Sequence, residues 1–272
     1  MRRLIADAVT TAILAFAGLA CLIAALAPRA AGAGAWTQKE GAGQVIATVS
    51  RRASPTSGFI SPEVDDDSNF VAVYGEYGLF EGFTVGGTAF VEFSTAEGTT
   101  NTANIGAFAR KRLWQGQAGD VASVQVGIVQ PIDGLLGDEF GGPTADPTQE
   151  ISLRGQYGRG FGFDWGSAFV STEAGYHLQT DGDDDEIRFD LTGGVQPWDC
   201  CMVILSTFTT WPIGDPDEQA VKIAPSVTYT FGRSLPEGER PEKPITLQLG
   251  LTQDVLNMDE GFGIQLGIWK AF

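Results

Sequence analysis

From Gly43 to the terminal Phe272 the chain repeats one pattern: runs of about 10 residues in which apolar side chains alternate with small or polar ones. Ile187, Phe189, Leu191 and Val195 share one parity, as do Val221, Ile223, Val227, Tyr229 and Phe231, and Ile245, Leu247, Leu249 and Leu251. Period-2 alternation belongs to a strand with one apolar face. About 10 residues is the length a strand needs to cross a bilayer tilted by about 45°. The pattern predicts twelve strands, near 43–53, 68–79, 83–94, 102–114, 120–130, 149–158, 163–178, 186–197, 200–210, 219–232, 244–254 and 261–272. Pro225 falls inside one run, where a missing N–H predicts a bulge.

The connections alternate in length. Tight turns are predicted at Phe80–Gly82, Gln115–Gly119, Arg159–Gly162 and Trp198–Asp199, and longer loops after most odd-numbered strands. That is the arrangement of an antiparallel up-and-down transmembrane β-barrel, with its short turns in the periplasm. Residues 232–244 make a long connection on the short side and depart from the rule. The soluble rival, a β-sandwich or lipocalin-like barrel, needs a large apolar core that the sequence does not supply.

Both chain ends fit export. The last run, Phe262, Ile264, Leu266 and Ile268 alternating with Gly and Gln before Trp269-Lys270-Ala271-Phe272, resembles the C-terminal signature of Gram-negative outer-membrane proteins. It departs from that signature at Lys270. At the other end, Arg2-Arg3 precedes an apolar stretch from Ala8 to Ala27 and a small-residue segment from Arg29 to Ala35. That order reads as a signal peptide over 1–35 and a barrel over 36–272, with Ala-x-Ala cleavage sites before Gly34 or before Trp36. An uncleaved transmembrane helix is the rival reading. Cys21 lies outside a convincing lipobox, and Cys200-Cys201 read as two small residues at a strand start.

Charge excludes one class of partner. The chain carries 17 basic and 34 acidic residues; losing Arg2, Arg3, Arg29 and Asp7 with the leader leaves 14 and 33. So acidic a protein repels nucleic acid. Of those 33 acidic residues, 21 fall in the loops assigned outside, among them Asp65, Asp66, Asp67, Asp181, Glu150, Asp183, Asp184, Asp185, Glu186 and Asp254. Plain solvation accounts for such loops; binding of divalent cations through hard oxygen ligands is the sharper alternative. The remaining expected partners are outer-membrane lipid and lipopolysaccharide, and the barrel-assembly machinery that handles the terminal strand.

Turning the apolar parity toward lipid points a charged set inward: Glu76, Glu92, Arg110, Arg112, Arg154, Glu173, His177, Arg188, Asp190 and Lys222, with Gln125, Gln156, Gln248 and Gln265. These are the predicted pore-lining residues. Pairing across the bore would close it, whereas basic and acidic rows on opposite walls would leave a charged constriction for small polar solutes. A twelve-strand lumen is intermediate between filled small barrels and open porins. No catalytic, metal or cofactor motif emerges. His177 lacks a Ser partner along its own strand, Ser171 being too distant, although a serine on a neighbouring strand could reach it.

Further segments carry a second resemblance: Gly34-Ala-Trp36-Thr-Gln38, Gln44-Val-Ile46, Tyr74-Gly-Glu76-Tyr77-Gly-Leu79 and Arg110-Lys-Arg112-Leu-Trp114. Together they resemble a family of proteobacterial transporter-like outer-membrane proteins, the XagA type, and more distantly the channels of aromatic-degradation pathways. The resemblance implies a twelve-strand barrel and passive uptake. Three functions are thus in play: a narrow channel for small solutes, a closed structural or surface-interaction barrel with acidic cation-binding loops, and, more remotely, a lipid-modifying enzyme centred on His177.

Overall fold

The computed structural model describes residues 34–53, 68–94, 102–117, 119–132, 149–180, 184–214, 219–233, 243–256 and 262–272. Twelve strands run antiparallel: β1 (Gly43–Ala53), β2 (Ser68–Phe80), β3 (Phe83–Ser94), β4 (Thr102–Gln115), β5 (Asp120–Pro131), β6 (Glu150–Phe163), β7 (Gly166–Gln179), β8 (Glu186–Trp198), β9 (Cys201–Pro212), β10 (Ala220–Thr230), β11 (Ile245–Leu256) and β12 (Phe262–Ala271). Each pairs with its sequence neighbours, and β12 pairs with β1 to close the barrel. The closing ladder runs from Gln44 opposite Ala271 to Ala53 opposite Phe262. Closure leaves no edge strand, so every ladder N–H and C=O has a place to bond where lipid offers none.

The exterior is the apolar surface. Among the described residues, thirty-five large hydrophobic side chains are exposed, against eight buried apolar residues of which four are Ala. A water-soluble fold inverts that ratio. Val49, Val126, Leu153, Leu249 and Leu266, all at least half exposed, form the outward band, which a bilayer's hydrocarbon covers. At the short-turn end the band gives way to exposed rings, among them Phe80, Trp114, Trp165, Trp198, Phe231 and Phe272. Such rings settle at a lipid–water boundary because one end is apolar and the other wet. Phe272 stacks on Tyr77 at 6.5 Å, so the terminal aromatic belongs to this girdle. Lys270 shares the outward parity of Ile268, and its Nζ donates to the Lys243 carbonyl at 2.7 Å at the same rim.

Three expectations need correction. β6 runs on to Phe163, so the turn expected at 159–162 is made by Asp164-Trp165 instead. Gly160 and Gly162 are strand residues whose N–H and C=O stay in the ladder with β7, opposite Phe169 and Ser167. Pro225 pairs in register with Leu205 of β9, and the irregularity lies at Val221/Lys222. The ladder to β11 omits Ala224 and Pro225 without shifting register, since proline's missing N–H costs one donor and its fixed φ is compatible with an extended strand. Glu150, Glu186 and Asp254 are strand residues rather than loop residues. Their carboxylates face basic side chains inside the barrel, which is what makes a strand position tolerable for them.

Candidate functional site: the lumen

Inward residues follow strict parity. Tyr74 and Glu76 on β2, Arg110 on β4, Ser123 and Gln125 on β5, Arg154 and Gln156 on β6, Ser171, Glu173 and His177 on β7, and Arg188, Asp190 and Thr192 on β8 share the face opposite the apolar band. The charges do not meet across the bore, nor do they sort onto opposite walls. They pair along the wall between near neighbours, in three clusters on β2 to β8 and a fourth on β10, β11 and β1.

The first cluster is centred on Glu76 and Arg110, 3.2 Å apart with side chains only 4% and 6% exposed. The carboxylate also accepts from Gln38, Gln44 (2.6 Å) and Tyr74 (2.7 Å). Arg110 donates to Gln125 at 2.9 and 3.0 Å. A buried ion pair persists when its remaining lone pairs and protons are met in this way. The second cluster joins Arg154 to Glu173 at 2.7 Å, with Gln156 donating to the other carboxylate oxygen. The third lies toward the long-loop end, where Glu150 contacts His177 Nδ1 at 2.7 Å and Arg188 at 2.9 Å, and Arg188 also reaches Glu186 at 2.6 Å. Across the barrel, Lys222 and Arg52 flank Asp254 at 3.6 and 3.8 Å.

Two predicted residues stand apart. Arg112 reaches the β2–β3 turn and pairs with Glu81 at 3.0 Å at the rim. Glu92 sits on the inward face near the opposite end, across from Phe70 and Thr102. His177 is fully buried, and its cross-strand partner is Ser152. The serine that its own strand lacks is therefore supplied by β6. Among the described residues, however, no hydrogen bond joins Ser152 to His177, and both face the lumen, away from lipid.

The feature that periodicity does not reveal is the segment before β1. Residues 34–42 fold back from the short-turn end into the bore. Gly41 N–H donates to the Gly78 carbonyl (3.0 Å) and Gly78 N–H to the Ala42 carbonyl (2.9 Å), which fastens the entry to β2. Deeper in, Gln38 N–H donates to Thr84 Oγ1 at 2.8 Å, Arg110 Nη1 to the Trp36 carbonyl at 3.0 Å, and Ser123 Oγ to the Ala35 carbonyl at 2.9 Å. Trp36 meets Phe169 edge to face at 6.4 Å. Two wall glycines make room. A Cβ at Gly158 would lie 2.5 Å from the Trp36 ring, and one at Gly78 would lie 2.1 Å from the Lys39 carbonyl oxygen. The short-turn half of the lumen is thus occupied by this segment. Beyond it a cavity of about 260 Å³ remains, lined by Gly34, Arg154, Ser171, Glu173, Asp190 and Phe208 among others.

At the long-loop end, Tyr176 donates to one carboxylate oxygen of Asp185 and Gln179 N–H donates to the other at 3.0 Å. These bonds hold the Asp185 carboxyl below its ordinary range. Of the two acidic runs expected to hold divalent cations, Asp65–Asp67 and residues 181–183 of Asp181–Glu186 lie outside the described residues. Cys200 and Cys201 are free thiols at the β8–β9 turn.

A closed antiparallel barrel with a lipid-facing exterior and a polar lumen is a transmembrane β-barrel of the outer-membrane type. No protein-family model and no curated protein matches the chain. Among solved structures, an outer membrane channel from Pseudomonas putida F1 is similar at a TM-score of 0.59 and 14% identity, covering 90% of this chain and 100% of that one. The KdgM porin (TM-score 0.48, 8% identity, 84% and 99% covered) and the CymD monoaromatic hydrocarbon channel (0.45, 9%, 86% and 88%) are more loosely similar. At these identities the likeness is one of fold.

Proposed function

We propose that the protein is a bacterial outer-membrane barrel acting as a narrow channel for passive movement of small polar solutes. The observation that carries this reading is the mid-lumen cavity, where Arg154, Glu173 and Asp190 surround open space instead of closing it with salt bridges across the bore. A charged constriction of that kind admits small hydrated solutes and discriminates among them by charge. The fold it shares with an outer membrane channel supports the same reading. Residues 34–42 narrow the short-turn half, so conductance falls well below that of an open porin. Outer-membrane lipid and lipopolysaccharide surround the apolar band, the barrel-assembly machinery receives the β12 strand, and divalent cations bridge the acidic loops to lipopolysaccharide phosphates. The protein has no enzymatic role in this reading, because His177 and Ser152 face the lumen rather than the lipid.

Conductance of refolded protein in a planar bilayer tests it. A small ohmic current whose ion selectivity shifts toward anions in Asp190→Asn is expected. Its absence in protein shown to be folded favours the closed surface-interaction barrel.

A further inference from the structure

We propose that the mature chain begins at Gly34, and that the α-ammonium released there is the resident cation of the mid-lumen cavity, facing Asp190 and Glu173. The inference rests on the secreted-barrel reading and goes beyond it by choosing between two cleavage sites. The sequence offers a small-x-small site before Gly34 and another before Trp36. The structure treats them unequally, because Gly34 and Ala35 are fitted to the lumen wall.

Ala35 has no exposed surface, and its carbonyl accepts the Ser123 hydroxyl at 2.9 Å. Gly34 lies against Ser171, whose Oγ would be 2.5 Å from a Cβ at that position. Ala35 is thus packed and hydrogen-bonded as part of the folded lumen, a fit that a leader discarded before folding has no reason to show. Cleavage before Trp36 would remove both residues and leave a cavity where Ala35 packs.

Charge points the same way. The ionised side chains around the cavity are Arg110, Arg154, Glu173 and Asp190. Arg110 is engaged by Glu76 and Gln125, and Arg154 by Glu173. Among the described residues no cation lies within ion-pair distance of Asp190. Gly34 lines the same cavity, so cleavage just before it delivers one positive charge beside the one carboxylate there that lacks an ion-pair partner. An ammonium withdrawn from bulk water requires such a counter-charge.

The test uses the full chain exported with its own leader and purified from outer membranes. N-terminal sequencing is expected to return Gly34-Ala-Trp36. A start at Trp36 overturns the proposal while leaving the barrel reading intact; an unprocessed Met1 overturns both. The α-amine is then acetylated at neutral pH with an N-hydroxysuccinimide ester and followed by mass spectrometry of the N-terminal peptide. Folded protein should react about 100-fold more slowly than unfolded protein, since local opening must expose the amine first. Equal rates in the two states overturn the buried ammonium. In Asp190→Asn most of that protection should be lost, and full protection in that variant would overturn the pairing. The unsubstituted protein alone already decides the start site and the burial.

Discussion

At the scale of single residues, the Glu76–Arg110 pair illustrates how a charge survives inside this wall. Five groups hydrogen-bond the two side chains besides each other, and almost no solvent reaches them. Removing one partner strands the other. Arg110→Ala should cost about 3–5 kcal/mol of stability, read as a shift in urea-induced unfolding from lipid vesicles. Glu76→Gln, which keeps shape and some hydrogen bonding, should cost less than Arg110→Ala. Asp185 behaves differently because it lies at the loop end, outside the strands. Its folded-state carboxyl sits below the ordinary value of 3.8, so its contribution is full above that value and fades as pH falls through the lowered one. Loop-end protection of the Gln179 amide, followed by hydrogen exchange, should therefore hold at pH 5 and drop only in stronger acid; loss already at pH 5 would contradict the contact. The inward parity of Glu76, Arg110 and Asp190 was legible in the sequence because charged residues share a face with Gly, Ser and Thr. Which charge meets which was not, since Glu76 and Arg110 lie on strands separated by β3 and only the barrel's curvature brings them together.

At the scale of elements, the segment 34–42 and the two glycines beneath it act as a unit. Gly158→Leu would drive a side chain into the Trp36 ring, and Gly78→Ala would drive a methyl group into the Lys39 carbonyl. Neither glycine lies on the lipid face, so both variants should still assemble. Each should raise single-channel conductance, as should deletion of residues 34–40, and a conductance unchanged in all three would show that the segment does not limit flow. Sequence reading missed this element for a physical reason. The segment lacks the two-residue repeat of a strand, and apart from the local Ala42 N–H to Lys39 carbonyl bond its hydrogen bonds are to wall residues remote in sequence. Its trace on the wall is Gly78 and Gly158, which look like any other strand glycine until Lys39 and Trp36 are placed over them. The strands themselves were readable to within one or two residues at most ends. β6 was the exception, because Arg159-Gly-Phe-Gly162 has turn composition and only pairing with β7 keeps it extended.

At the scale of the whole molecule, the exterior and the lumen are two solvents separated by one layer of backbone. Adjacent residues of β1 test that division. Val49→Lys places a charge on the lipid face and should lower stability by about 2–4 kcal/mol near the midplane, whereas Thr48→Lys points into the polar lumen and should cost much less. Equal effects would refute the register assigned to β1. The amino-acid sequence by itself determined the number of strands, their lengths, their inside and outside faces and the closure of the last on the first. All of these follow from local periodicity, which a strand's geometry converts directly into a face. Only the tertiary structure decided what the bore contains. Filling it depends on contacts between residues 34–42 and walls formed by β2 to β7, and on wall pairs fixed by stagger and curvature. Those contacts join residues far apart in sequence, Ala35 to Ser123 and Trp36 to Phe169 among them, and no local pattern encodes them.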